Sequence, residues 1–164
     1  MTKEENKKLC QKYPFLIPVS EMTGRRITDG AGYFAKDPNH IPEYDWEYTK
    51  LDEMPIGWRN AFGEALCRDL KDALCKIGMI EKYRVWEIKE KYGELRWYDN
   101  DMTGTTYPIV DQYTERSRRV CIHCGKTATR ITQGYILPFC DDCLQKDQRL
   151  WENSKPITLC NPNG

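Results

Sequence analysis

Histidine is nearly missing from this chain: its 164 residues include only His40 and His123. A Ser/His/Asp or Cys/His nucleophile system needs a histidine beside its nucleophile, so hydrolases of that kind are disfavoured. A His-rich metal nuclease is disfavoured by the same scarcity. No H-x-E occurs and Pro138 is misplaced before Cys140, so the zinc-deaminase pattern is missing. Neither G-x-x-x-x-G-K-[ST] nor G-x-G-x-x-G occurs, which removes two common phosphate-cradling loops. Net charge is absent too, with 25 Lys+Arg balancing 25 Asp+Glu. A neutral chain is not expected to bind nucleic acid by bulk electrostatics. No apolar run approaches the roughly 20 residues that cross a bilayer, and Met1 to Lys8 lack the apolar core of a signal peptide. The expectation is a soluble, cytoplasmic protein with reduced cysteines.

Cysteine, by contrast, is plentiful, with eight residues. Four of them fall as Cys121-x2-Cys124-Gly125 and Cys140-x2-Cys143, with fifteen residues between the pairs. Two thiolates three apart on a tight turn can both reach a metal at about 2.3 Å, and a second pair completes a tetrahedron. Gly125 suits a knuckle because it is free to take positive φ. Two redox C-x-x-C motifs and a rubredoxin-like iron site are the alternatives; structural Zn2+ is the expectation. Between the pairs, Thr127–Thr132 and Tyr135–Phe139 read as strands around a Gln133–Gly134 turn. After Cys143, Leu144–Trp151 reads as a helix whose start carries Asp141 and Asp142. Knuckle, hairpin and ligand-bearing helix together resemble a treble-clef zinc finger. His123, inside the first knuckle, is expected at the surface or beside the ligands.

The rest of the chain predicts an α+β fold: a small antiparallel sheet packed on an amphipathic helix. Trp58, Phe62, Leu66, Leu70, Leu74 and Ile77 form one apolar stripe, predicting a helix from Trp58 to Ile77 that Gly78 ends. Tyr83–Tyr92 and Glu94–Asp99 read as a hairpin around Tyr92–Gly93, with Leu95 and Trp97 facing the helix, and Trp86 and Ile88 sharing a face. Tyr107–Val120 reads as a second helix. Upstream, Lys7–Cys10 predicts a short helix, Phe15–Val19 an edge strand, residues 21–50 an extended loop region, and Glu43–Thr49 a half-buried strand. Two units are expected, residues 1–114 as the body and 115–152 as the zinc finger.

Ile88-Lys-Glu-Lys-Tyr-Gly-Glu-Leu-Arg-Trp-Tyr98, after a Gly-Trp helix and before a C-x-x-C-G finger, resembles a family of uncharacterised bacterial and phage proteins. Those carry a KEK(F/Y)GxLR(F/Y)Y hairpin and a similar finger; the likeness covers about residues 57 to 143. Tyr135 stands where that pattern has Trp, and residues 1–50 have no counterpart in it. The resemblance implies no activity, only a bacterial or phage cytosolic setting. Three function classes follow. The first is a non-catalytic binding protein that blocks a host protein or sequesters a small nucleotide, an inhibitor of the counter-defence type. For it, Arg84, Trp86, Arg96 and Tyr98 place guanidinium and aromatic groups on neighbouring strands, suited to stacking and to gripping a phosphate. The second is a nucleic-acid-binding finger using Arg116, Arg118, Arg119, Lys126 and Arg130. The third is an enzyme with an unrecognised site, for which Glu87, Glu90 and Glu94 are the carboxylates at hand.

Overall fold

Thr2 starts the first helix, α1 (Lys3–Lys12), with a capping box: its hydroxyl accepts the Glu5 N–H while the Glu5 carboxylate accepts the Thr2 N–H. That reciprocal pair carries the helix further upstream than the expected Lys7 start. The computed structural model describes residues 2–19, 44 and 46–157. Most of the expected 21–50 loop, together with His40, Glu43, Asp45 and Cys160, lies outside those residues. Tyr44 and Trp46–Thr49, the described part of the expected Glu43–Thr49 strand, are not in a strand.

Pro14 ends α1 as anticipated, but the residues after it do not form the expected edge strand. Pro14–Leu16 is a 3-10 turn that buries Phe15 and Leu16 completely. Proline at the first position is preset for a helical turn, and the turn drops two large apolar side chains into one core.

The stripe helix forms in three parts: α2 (Ile56–Trp58), a π-turn over Arg59–Gly63, and α3 (Glu64–Lys76). Trp58, Phe62, Leu66, Leu70 and Leu74 are all buried, as their spacing predicted. Steps of four overshoot a 3.6-residue turn, and the i→i+5 bonding of the π-turn absorbs the excess where Trp58 and Phe62 must stay above Leu66. Ile77 is the exception at 45% exposed. The helix closes there in a Schellman motif, with Gly78 at φ +67°. The Gly78 and Met79 N–H groups bond to the Cys75 and Leu74 carbonyls, so Met79 packs on the core in place of Ile77.

Strands β1 (Val85–Lys91) and β2 (Glu94–Asp99) pair antiparallel around Tyr92–Gly93, whose φ values of 58° and 79° make a type I′ turn. Leu95 and Trp97 face inward as expected, with Ile88 opposite Trp97. The expectation that Trp86 shares the face of Ile88 is wrong. The register shifts between Val85 and Glu87, and this bulge at Trp86 brings Val85 to the buried side with Ile88.

Both edges of the hairpin are covered. A 3-10 turn over Lys50–Glu53 lies along β1: Glu53 accepts the Ile88 N–H at 2.7 Å, and Lys50 donates to Glu53 and to the Trp86 carbonyl, each at 2.7 Å. Helix α4 (Tyr107–Ser117) lies along β2, where Ser117 Oγ accepts the Leu95 N–H at 2.9 Å and Thr114 donates to the Leu95 carbonyl. These contacts occupy backbone groups at the middle of each strand edge, where another chain would otherwise pair.

At the C-terminal side, β3 (Arg130–Thr132), β4 (Pro138–Phe139) and β5 (Ser154–Pro156) form a sheet of order β4-β3-β5. The single helix expected over Leu144–Trp151 is two short ones, α5 (Asp141–Leu144) and α6 (Gln148–Glu152). Asp147 makes the break, because its carboxylate caps α6 by accepting the Arg149 and Leu150 N–H groups. The architecture is α+β, with a small antiparallel hairpin on a helix and a four-cysteine cluster at its C-terminal side.

Candidate metal centre

The first cysteine pair sits on a tight turn that follows α4. The Cys121 N–H bonds to the Lys126 carbonyl at 2.7 Å and the Gly125 N–H returns to the Cys121 carbonyl at 3.0 Å. Gly125 is at φ +81°, the conformation expected of it. The second pair opens α5, where the Cys140 carbonyl accepts the Cys143 and Leu144 N–H groups. Sheet pairing of β3 with β4 returns the chain so that the two turns face each other. The sulfurs of Cys121, Cys124, Cys140 and Cys143 then all lie within 4.8 Å of one another, with Cys124 and Cys140 3.5 Å apart.

That arrangement fits a metal ion. Four sulfurs at about 2.3 Å from a tetrahedral centre are about 3.8 Å apart, and four thiolates leave no open coordination position. Cys121 and Cys140 are buried, whereas Cys124 and Cys143 are half-buried. Burial pushes the Cys140 and Cys143 thiols up; against burial, the Lys126 N–H and neighbouring thiols hold Cys124 down to about 7. Sulfurs this close cannot all ionise on their own, and a divalent cation removes the conflict. Outside the cluster, Lys126 pairs with Asp142 at 2.8 Å and Thr129 donates to Asp141 at 2.8 Å, tying one turn to the other. His123 places Nδ1 3.6 Å from Cys143 Sγ, beside the ligands as expected.

The first knuckle is fastened to the helix that carries the core. The Gly57 N–H bonds to the Ile122 carbonyl at 2.9 Å, and the buried Trp58 indole N–H bonds to the Val120 carbonyl at 2.9 Å. A Cβ on Gly57 would stand 2.2 Å from the Cys121 carbonyl oxygen, and one on Gly125 2.7 Å from the Gly57 carbonyl oxygen. Two glycines thus let two backbones touch. Sequence reading took Gly57 only as punctuation before a helix; its neighbour Trp58, an indole needing a buried acceptor, was the available signal. Gly93 makes a second joint, since its Cβ would lie 3.2 Å from Ile136, beside the hydrogen bond from Tyr135 to Glu90.

The other residues singled out from sequence are dispersed. Arg96 and Tyr98 share the outward face of β2, where Arg96 pairs with Glu94 and Lys89 lies over the Tyr98 ring. Trp86 is the half-buried bulge residue, and Arg84 donates to the adjacent Tyr83 carbonyl. An open pocket of about 580 Å³ lies between α1 and the π-turn, and none of these four lines it. Of the basic set, Arg116 stacks over Phe62 and donates to the Ala61 carbonyl inside the π-turn. Arg118 pairs with Glu94 and Glu115, and Lys126 with Asp142. Arg130 stacks on Trp151 at 4.3 Å and donates to Ser154. Glu90, one of the three hairpin carboxylates, accepts the Gly93 N–H; Glu87 pairs with Lys89, and Glu94 with Arg96 and Arg118. No family model, curated protein or solved structure matches the chain.

Proposed function

We propose that this protein is a non-catalytic binding protein whose C-terminal finger, residues 115–152, is folded around one structural zinc ion. The convergence of four cysteine sulfurs, on turns bonded directly to the core helix, carries the reading. Cys121, Cys124, Cys140 and Cys143 are the ligands, and with all four positions filled by sulfur the ion supplies folding free energy, not a reactive water. The unit is of the treble-clef type, with the second ligand pair at the start of a short helix. Paucity of histidine in the sequence, and carboxylates engaged in local pairs, favour binding over catalysis.

The partner we propose is a protein and not a nucleotide. The four aromatic and guanidinium residues that would stack and grip a nucleotide are dispersed, with Arg84 ahead of β1, Trp86 at the bulge and Arg96 and Tyr98 on the outward face of β2, and none lines the open pocket between α1 and the π-turn. Nor is nucleic acid favoured, because four of the five basic residues around the finger already have partners within the chain: Arg118 and Lys126 pair with carboxylates, while Arg116 and Arg130 stack on rings and donate to Ala61 and Ser154. On the family resemblance, the setting is a bacterial or phage cytoplasm and the partner a host protein that is blocked.

Native mass spectrometry of freshly purified protein tests both halves. One zinc per chain with no retained nucleotide is the expected spectrum. Less than half an equivalent of zinc, with four freely reactive thiols, overturns the metal reading. Sub-micromolar DNA or RNA binding at physiological salt, lost in Arg118→Glu/Arg119→Glu, would move the function to the finger surface.

A further inference from the structure

The four ligand cysteines are unequally protected. Cys121 and Cys140 are buried, whereas Cys124 and Cys143 are half-buried. The half-buried pair differs in its hydrogen-bond donors. Cys124 has the Lys126 backbone N–H. Cys143 has His123, whose Nδ1 stands 3.6 Å from its sulfur, within hydrogen-bond range for so large an acceptor. A zinc ion bound by four thiolates carries two net negative charges, concentrated on sulfur. The two partly accessible sulfurs are where an electrophile or a competing ligand would attack, since the thiolate is the nucleophile.

We propose that His123 is a positioning residue for this centre: its Nδ1–H donates to the Cys143 thiolate, draws charge from that sulfur and keeps this half-buried ligand on the metal. The proposal rests on the zinc reading above and adds a role for a residue that no ligand count requires. Knuckle geometry supports it. His123 lies between Cys121 and Cys124 on the same turn, so folding the first pair brings the imidazole across to the second pair without any further element. Outer donors of this kind orient the ligand they touch and tune how firmly it holds.

The experiment measures zinc transfer from the purified protein to a chromogenic chelator, with and without N-ethylmaleimide, for the parent, His123→Ala, His123→Asn and His123→Gln. Asparagine places its amide N–H close to where Nδ1 stands, while glutamine reaches towards the Nε2 position. The expected result is release about ten-fold faster in His123→Ala, with Cys143 alkylated first, and release within about two-fold of the parent in His123→Asn. In cobalt-substituted protein, the thiolate-to-metal charge-transfer band should move to lower energy in His123→Ala and stay in place in His123→Asn. Equal release rates for the parent and His123→Ala, or equal acceleration in His123→Asn and His123→Ala, overturn the proposal. If His123→Ala does not fold, His123→Asn against His123→Gln reads the same donor, and equal rates there are equally fatal. Tight zinc in Cys143→Ala that is lost in Cys143→Ala/His123→Ala would make the imidazole a ligand instead of a donor. A parent protein that carries no zinc as purified overturns the metal reading, and this proposal with it.

Discussion

At the scale of single residues, two positions carry consequences out of proportion to their size. Gly57 has no side chain because a backbone carbonyl occupies the place where one would be. Neither partner is a flexible side chain that can move aside, so Gly57→Ala should cost about 3 kcal/mol or more and weaken metal retention together with stability. Urea denaturation with parallel zinc analysis checks this; a stable variant with full zinc would refute the close approach. Asp101 is the other. Burial by itself would raise its carboxyl, but the Thr103 and Thr106 hydroxyls and N–H groups outweigh burial and hold it down to about 2. A carboxyl depressed in the folded state contributes stability that is fully present above its ordinary value and is lost as pH falls through the folded one. Stability should therefore decline between about pH 4 and pH 2, and Asp101→Asn should flatten that part of the profile. Thermal melts across the window measure it.

At the scale of elements, the hairpin holds a local conflict. A type I′ turn asks for positive φ at both central residues, which Asn-Gly adopts readily, whereas here only Gly93 does so without cost and Tyr92 is held at φ 58°. Tyr92 is 68% exposed, so its ring does little to offset the backbone cost. Tyr92→Asn should raise stability by about 0.5–1 kcal/mol, read as a shifted denaturation midpoint at constant slope. Inside the same hairpin, Trp97 packs in the core and donates its indole N–H to Tyr83, which in turn donates to Asp99. Trp97→Ala should cost about 3–5 kcal/mol. Full stability with lost partner binding would instead make Trp97 a contact residue. Both elements were visible in the sequence as alternating apolar residues around a Tyr-Gly pair. The bulge at Trp86 was not, because a one-residue slip leaves composition unchanged and is chosen by which side chains the helix beneath can bury.

At the scale of the whole molecule, the metal centre and the core are expected to rise and fall together. Val120 belongs to the core, Ile122 packs against it, and Gly57 and Trp58 bond to the backbone on either side of Cys121. Chelation, or Cys140→Ser, should thus lower the melting temperature of the α2–α3 helix signal as well as that of the finger, in one transition. Two separate transitions, with helix stability untouched, would show that the two parts fold independently. The four-cysteine set, the apolar stripe from Trp58 to Ile77 (correct except for its exposed last member) and the turn at Gly93 were each legible in sequence alone. Every one is a short-range pattern, set by the reach of a thiolate, the pitch of a helix or the φ range of glycine. Tertiary structure decided what those patterns could not contain. It gave four of the five basic residues around the finger partners within the chain, as surface ion pairs at Arg118 and Lys126 and as ring stacks at Arg116 and Arg130. It split the last helix at Asp147 and added β5, and it made Gly57 a joint instead of a punctuation mark. The physical reason is the same in each case: these outcomes depend on which partner arrives from a distant part of the chain, and residue spacing holds no record of that.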